Sequence, residues 1–509
     1  MTKVSVVALV ALTLGSSGLY AQEHDHPISE KLGKVSFTTT CDAKVQDAFN
    51  RAMALLHSFT YQLAAAAFQE VASKDPDCAV AHWGIAMSYY HQLWEPPLPG
   101  DAVQKGKAEL DLASQLKKIS PREQEYIAAA GNVFGDPAVP YPVRAGKYRE
   151  AMAALAKKYP QDDEAQIYYA LALLSTASPQ DKTHQNQKAA AQILEPLYAK
   201  YPQHPGLAHY LIHAYDNAEL AAQGEKAARE YALIAPSAPH ALHMPSHIFT
   251  RLGLWSDSVR LNQASRAAAH QQGDFGEEMH AMDYMVYASL QLDRVADVAA
   301  LLQELQTMGS FKGRETKAHY AATAMPIRYA VERKQWKEAA HCSATEGAPP
   351  HVVALAAWAR ALGHARAGEA EQAKAELEVM EKMAEQLRAA GNLYWSNQVQ
   401  IQLAEANAWI LWAGHKPIEA LGVLRSAADS EDAVEKLPVT PGPVVPAREQ
   451  LGDMLLLAGQ PAAALAEYEQ SLKDSPGRRG SLQGALKSSR DAGLASKAAF
   501  YETRLQNPD

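Results

Sequence analysis

Residues 202–216 read PQHPGLAHYLIHAYD, and residues 235–255 read APSAPHALHMPSHIFTRLGLW. Pro202 and Pro236 lie 34 residues apart, as do His209 and His243, and again His213 and His247. A His-x-x-x-His pair therefore recurs at a period that fits one helix–turn–helix unit. Offsets of three, four and seven residues bring side chains onto one helical face. The first segment thus offers His209, His213 and Asp216 as one stripe, and the second offers His240, His243 and His247. The spacing of this stretch decides both the fold class and the place to look for a site.

Around it the 509-residue chain is 48% hydrophobic and rich in Ala and Leu, which favours helix. A formal net charge of −9 with no dense Lys/Arg block argues against a nucleic-acid partner. Residues 1–21 have the form of an export signal. Lys3 supplies the positive start, Val4 to Leu14 is apolar, and Gly15 to Ala21 is rich in small residues. That apolar run is too short to span a bilayer, and no later stretch reads as a membrane helix. The mature protein is expected in the periplasm or secreted. Residues 22–40 read as a flexible arm, in which His24 would stand third after cleavage and offer a square-planar copper or nickel site.

From residue 41 the chain becomes periodic. In VQDAFNRAMALLHSFTYQLAAAAFQEVASKDPDCAVAHWGIAMSYYHQLW (45–94), Ala52, Ala64 and Ala86 are the small residues that let helices approach. Phe68 fills between them, and Asp75-Pro76 closes the unit. AREQLGDMLLLAGQPAAALAEYEQSLKDSPG (447–477) repeats the pattern through Leu451, Gly452, Leu455, Ala464, Tyr468 and Pro476. On these residues the chain resembles the tetratricopeptide repeat family over most of 41–505. It also looks like a group of exported bacterial repeat proteins that share the words AHWGIAMS and HALHMPSHIF. The resemblance implies an all-α fold, a right-handed superhelical solenoid of antiparallel helix pairs. Its first helices would line a concave groove through their second, fifth, ninth, twelfth and thirteenth residues.

The expected organisation is an array over 41–345 carrying the histidines, further helical repeats over 346–427, a Pro-rich loop over 428–446, and a C-terminal repeat with capping helices over 447–509. A second loop is expected at GDPAVPYPVRAGKY (135–148). The Pro-rich loop, with Pro438, Pro441, Pro443 and Pro446, is either a lid over the groove or a plain connector. Cys41 and Cys78 each precede a predicted first helix in neighbouring repeats, so a Cys41–Cys78 disulfide is expected, with Cys342 free.

In this register both histidine stripes face the groove from adjacent units. EEMHAMDYMVYASLQLD (277–293) adds a third, through His280, Asp283 and Tyr287, after an insertion of six residues. Pro245 lies between His243 and His247 and should kink their helix. The ligand set read from the sequence is His209, His213, Asp216, His240, His243, His247, His280 and Asp283. It exceeds the ligands that one ion takes. The surplus either orients ligands or holds a second ion, in a spacing that resembles dinuclear copper or mixed histidine/carboxylate iron centres. Zinc, copper and iron all suit imidazole.

The sequence therefore supports a metalloprotein with one or two transition-metal ions in the groove, a candidate hydrolase or oxidoreductase acting on a small molecule or peptide. A metal-free peptide- or protein-binding scaffold is the rival reading, and a metal carrier or sensor is another. Phosphate-binding loops, a His-Glu-x-x-His helix and a G-x-S-x-G elbow are absent from the sequence.

Overall fold

Successive amphipathic segments form antiparallel helix pairs because each exposes an apolar stripe that only the next pair can cover. In the computed structural model, residues 30–93, 98 and 100–507 are described. The export segment 1–21, His24 and Trp94 lie outside them. The described chain is an all-α, tetratricopeptide-like solenoid, and Lys31–Asp509 forms one compact unit. No helix among the described residues is long and apolar enough to cross a membrane.

The first pair, Gln46–His57 and Tyr61–Lys74, buries Ala52, Ala64 and Phe68. The unit opening at Ala79 follows directly (Ala79–Met87). The late unit pairs Ala447–Leu457 with Pro461–Asp474. Tyr468 there packs against Gly452 and Gly484, where an added Cβ would sit 2.7 and 2.2 Å from its ring.

Three expectations change. Residues 31–40 are no loose arm: Leu32 and Phe37 are buried, Lys34 N–H donates to the Gln203 carbonyl at 2.8 Å, and Ser237 N–H donates to the Lys31 carbonyl at 3.2 Å. Two apolar anchors in a short polar segment suffice to dock it. The 135–148 loop is only half a loop, because a helix begins at Tyr141 and runs to Lys158. Pro142 sits in its first turn, where a missing N–H costs nothing. The Pro-rich loop is shorter than expected, since the preceding helix Pro417–Asp432 continues to Asp432.

Cys41 and Cys78 form the expected disulfide, with Cα atoms 4.7 Å apart. Cys342 is the free thiol, half-buried and pushed up to about 11 by burial. Thiol titration of the denatured, oxidised protein should count one thiol, rising to three after reduction. Reduction should lower stability by about 4 kcal/mol, the loop-closure entropy of a 37-residue separation. An unchanged urea midpoint would refute that contribution.

The array also curls back on itself. The turn after the late unit reaches the middle of the chain: the Gly477 carbonyl accepts from Trp255 Nε1 at 3.3 Å, and Arg479 N–H donates to Gln291 Oε1 at 3.0 Å. Gly253 sits at φ +75° against the Pro476 carbonyl, where no side chain would fit. The helix Phe275–Gln291 is consequently buried on every side from Gly276 to Gln291. Residues 433–446 then cross the groove as an irregular strap.

Candidate metal centre

Four helical segments carry the histidines. Pro205–Tyr215 holds His209 and His213; Pro239–His243 and Pro245–Leu252 hold His240, His243 and His247; Phe275–Gln291 holds His280. The helix is interrupted at Met244, the residue before Pro245. The backbone stays in the αR region there (φ −52°, ψ −36°), and His247 N–H bonds the Met244 carbonyl at 3.1 Å. Gly206 lets the first of these helices approach the end of Gln46–His57, because a Cβ there would lie 2.6 Å from His57 Nδ1.

The six histidines assemble as two triads. His209, His213 and His240 form one, and His243, His247 and His280 form the other; within each, ligand-capable nitrogens lie within 4.8 Å of one another. All six rings are buried to the level of the core or close to it. Each triad combines a His-x-x-x-His pair from one repeat unit with a single histidine from the first helix of the next unit. His240 therefore joins the preceding stripe rather than its own, and His280 joins His243 and His247. The triads adjoin: the rings of His240 and His243 are 6.0 Å apart, and those of His213 and His247 are 6.2 Å apart.

A second ring of partners fixes the tautomers. His209 Nδ1 lies 2.7 Å from the His57 carbonyl, which can only accept, so Nδ1 carries the proton. His247 Nδ1 donates to Asp216 Oδ2 at 2.9 Å. Asn262 Nδ2 donates to the Ser258 carbonyl at 2.8 Å, which orients its Oδ1 to accept from His243 Nδ1 at 2.7 Å. His240 Nδ1 lies 3.0 Å from Glu277 Oε1. The Nε2 atoms of His243 and His247 then face each other at 3.0 Å, and those of His209 and His213 at 3.1 Å. Burial is the main cause that holds His209, His213, His243 and His280 well below the usual imidazole range, and takes His247 to about 4.

The two aspartates expected as ligands stand elsewhere. Asp216 receives His247 Nδ1, Arg251 Nε at 3.0 Å and Lys436 Nζ at 2.9 Å, so it orients a histidine rather than joining a triad. Burial would raise its carboxyl, but Lys436, Arg251 and His247 hold it well below the usual carboxylate range. Asp283 faces Arg328, at 2.8 Å to Nε and 3.4 Å to Nη2, and both residues are fully buried. Asp283 thus stands with the guanidinium and in neither histidine triad. Tyr287, expected in the same stripe, meets Arg478 Nη1 at 3.4 Å instead.

The sequence did not single out several neighbours. Asn262 and Glu277 hold histidine tautomers, and Tyr284 Oη lies 3.3 Å from His247 Nε2 and 3.4 Å from the Pro438 carbonyl. Beneath the first triad, Glu164 bridges His57 Nε2 at 3.0 Å and His204 Nε2 at 2.9 Å. With both oxygens engaged by imidazoles, that cluster reads as a buried hydrogen-bonded support for the His57 carbonyl. The strap is anchored across the second triad: Glu435 N–H bonds the Pro179 carbonyl at 2.8 Å, and Leu437 N–H bonds Tyr394 Oη at 3.0 Å.

Fold and site together define a tetratricopeptide-like helical-repeat protein with a histidine-lined interior. No family model matches the chain, and no curated protein matches it. Among solved structures it is similar to a human IFIT1 dimer with PPP-AAAA, at 12% identity over 90% of this chain and 88% of that one, with a TM-score of 0.39. It is also similar to yeast Tom70, at 10% identity over 88% and 89% of the two chains, with a TM-score of 0.31. The P58(IPK) TPR domain matches at 13% identity over 89% and 99%, with a TM-score of 0.21.

Proposed function

We propose that the protein is an exported metalloprotein holding two transition-metal ions, one in each imidazole triad of the solenoid interior. The observation that carries this reading is the pair of Nε2 atoms of His243 and His247, 3.0 Å apart with both Nδ1 protons committed to oxygen acceptors. Two neutral imidazoles in that arrangement point lone pairs at each other. Burial opposes relief by a proton, and an ion at ~2.0–2.1 Å from each nitrogen relieves the repulsion. Oriented Nδ1–H donors are also what ligating histidines require.

With the carboxylates one step back, three neutral nitrogens per site favour zinc or copper, then iron, over oxygen-seeking magnesium or calcium. An ion in the first triad would be reached from a cavity wall that includes His240. Activation of water or oxygen on a small molecule is the chemistry such an ion would supply. A metal-free peptide scaffold fits less well, because the strap 433–446 already occupies groove beside the second triad. Carrier and sensor roles share the ions and differ only in lacking turnover.

The test is elemental analysis after reconstitution with zinc, copper or iron. Wild type should retain two ions per chain, and His209→Ala/His213→Ala and His243→Ala/His247→Ala one each. The fourfold variant should retain none. A wild type that keeps no metal, or a fourfold variant that keeps as much as wild type, would end this reading.

A further inference from the structure

A cavity of about 630 Å³ opens beside the first triad, with Gln62, Leu63 and Arg314 exposed at its rim and His240 and Glu277 buried at its floor. That volume lies in the ~300–1,000 Å³ range of small-molecule sites. Aromatic rings make up much of its wall, and they are already arranged as stacks. His351 lies 4.3 Å from Trp395 at 19°, and Phe59 lies 5.2 Å from Tyr61 at 17°. Phe59 adopts φ +53°, a conformation that a bulky side chain takes only under constraint. It brings the ring to 4.4 Å from His209 and 5.6 Å from His240.

The charges at the floor are paired: Glu277 receives Lys317 Nζ at 3.3 Å and His240 Nδ1 at 3.0 Å, and Lys317 also lies 3.5 Å from Glu315. Tyr61 Oη and His351 Nε2 are sealed off from the cavity and offer an occupant no contact. Flat aromatic walls over a paired floor describe one kind of occupant.

We propose that this cavity binds an uncharged, planar aromatic molecule, which stacks on the aromatic wall. Resting on the metal reading in this one respect, a donor oxygen of the same molecule completes the coordination of the first-triad ion.

The probe is 2,3-dihydroxynaphthalene, titrated by fluorescence and calorimetry into the zinc-loaded protein and into His209→Ala/His213→Ala. One probe per chain is expected, and Trp395→Ala should weaken it at least about tenfold with zinc content unchanged. The double histidine variant should bind more weakly yet keep its sensitivity to Trp395→Ala. If the chain takes no zinc but the probe still binds and still depends on Trp395, the cavity proposal stands and the metal reading falls. Affinity untouched by Trp395→Ala, or equal binding of trans-1,2-cyclohexanediol, overturns the proposal.

Discussion

Replacing Arg328 with methionine should lower the unfolding free energy by about 3–5 kcal/mol, the cost of leaving a buried charge without its partner. Arg328 is fully buried, and its guanidinium holds Asp283 on one side and the strap on the other. Toward the strap it donates to Thr440 Oγ1 at 3.1 Å and to the Gly442 and Pro443 carbonyls at 3.3 Å. Methionine fills a similar volume but donates nothing, so the Asp283 carboxylate and those oxygens are left in a dry interior. Urea denaturation of the chelator-treated protein at neutral pH measures the loss. Adding Asp283→Asn should restore much of the stability, since the unpaired charge, and not the missing contact, dominates the cost. Protease cutting within 437–443 should rise in Arg328→Met and stay raised in the double variant, because the strap oxygens still lack the guanidinium. A single variant less than 1 kcal/mol from wild type would show that water already solvates the pair.

That ion pair marks where sequence reasoning stops. Local periodicity made the helix pairs legible, and the 34-residue offset placed His209 and His213 in register with His243 and His247. The disulfide was legible for the same reason, as both cysteines precede first helices in adjacent units. Helical offset also offered Asp216 and Asp283 as ligands, and neither stands in a triad. A carboxylate goes to whichever cation reaches it, and those cations come from far along the chain. Arg328 lies 45 residues from Asp283, and Lys436 lies 220 from Asp216. Nothing in a period of 34 encodes either distance. Curling of the array also escaped the repeat register, because it depends on Trp255, Gln291 and the turn at Gly477 meeting in space. So did the grouping of the imidazoles: a stripe is fixed by one helix, but a triad is fixed by how two helices cross.

Asp216→Asn should weaken the ion of the second triad by about 10–100-fold while leaving the first-triad ion in place. The substitution keeps the shape and one acceptor oxygen for His247 Nδ1, but removes the charge that makes the imidazole a stronger ligand. It also leaves Lys436 and Arg251 facing a neutral amide. Arg251 has Glu435 as a second partner at 3.6 Å, so Lys436 bears most of the loss. Burial first, and the Arg251 charge after it, lower Lys436 from its usual value and Asp216 opposes both, so without the carboxylate the ammonium should shed its proton more readily. A competitive chelator titration, reading ions retained per chain against free zinc, separates the two sites. Wild type should release its ions over one range, and Asp216→Asn over two, with the weaker one abolished by His243→Ala. His209→Ala/His213→Ala should remove the tighter one instead. Equal weakening of both ions would mean that the variant loosens the solenoid as a whole, and the urea midpoint would fall in parallel. A selective loss with the midpoint held within about 1 kcal/mol of wild type would assign Asp216 to orienting His247, because only a change at that imidazole alters one site and spares its neighbour.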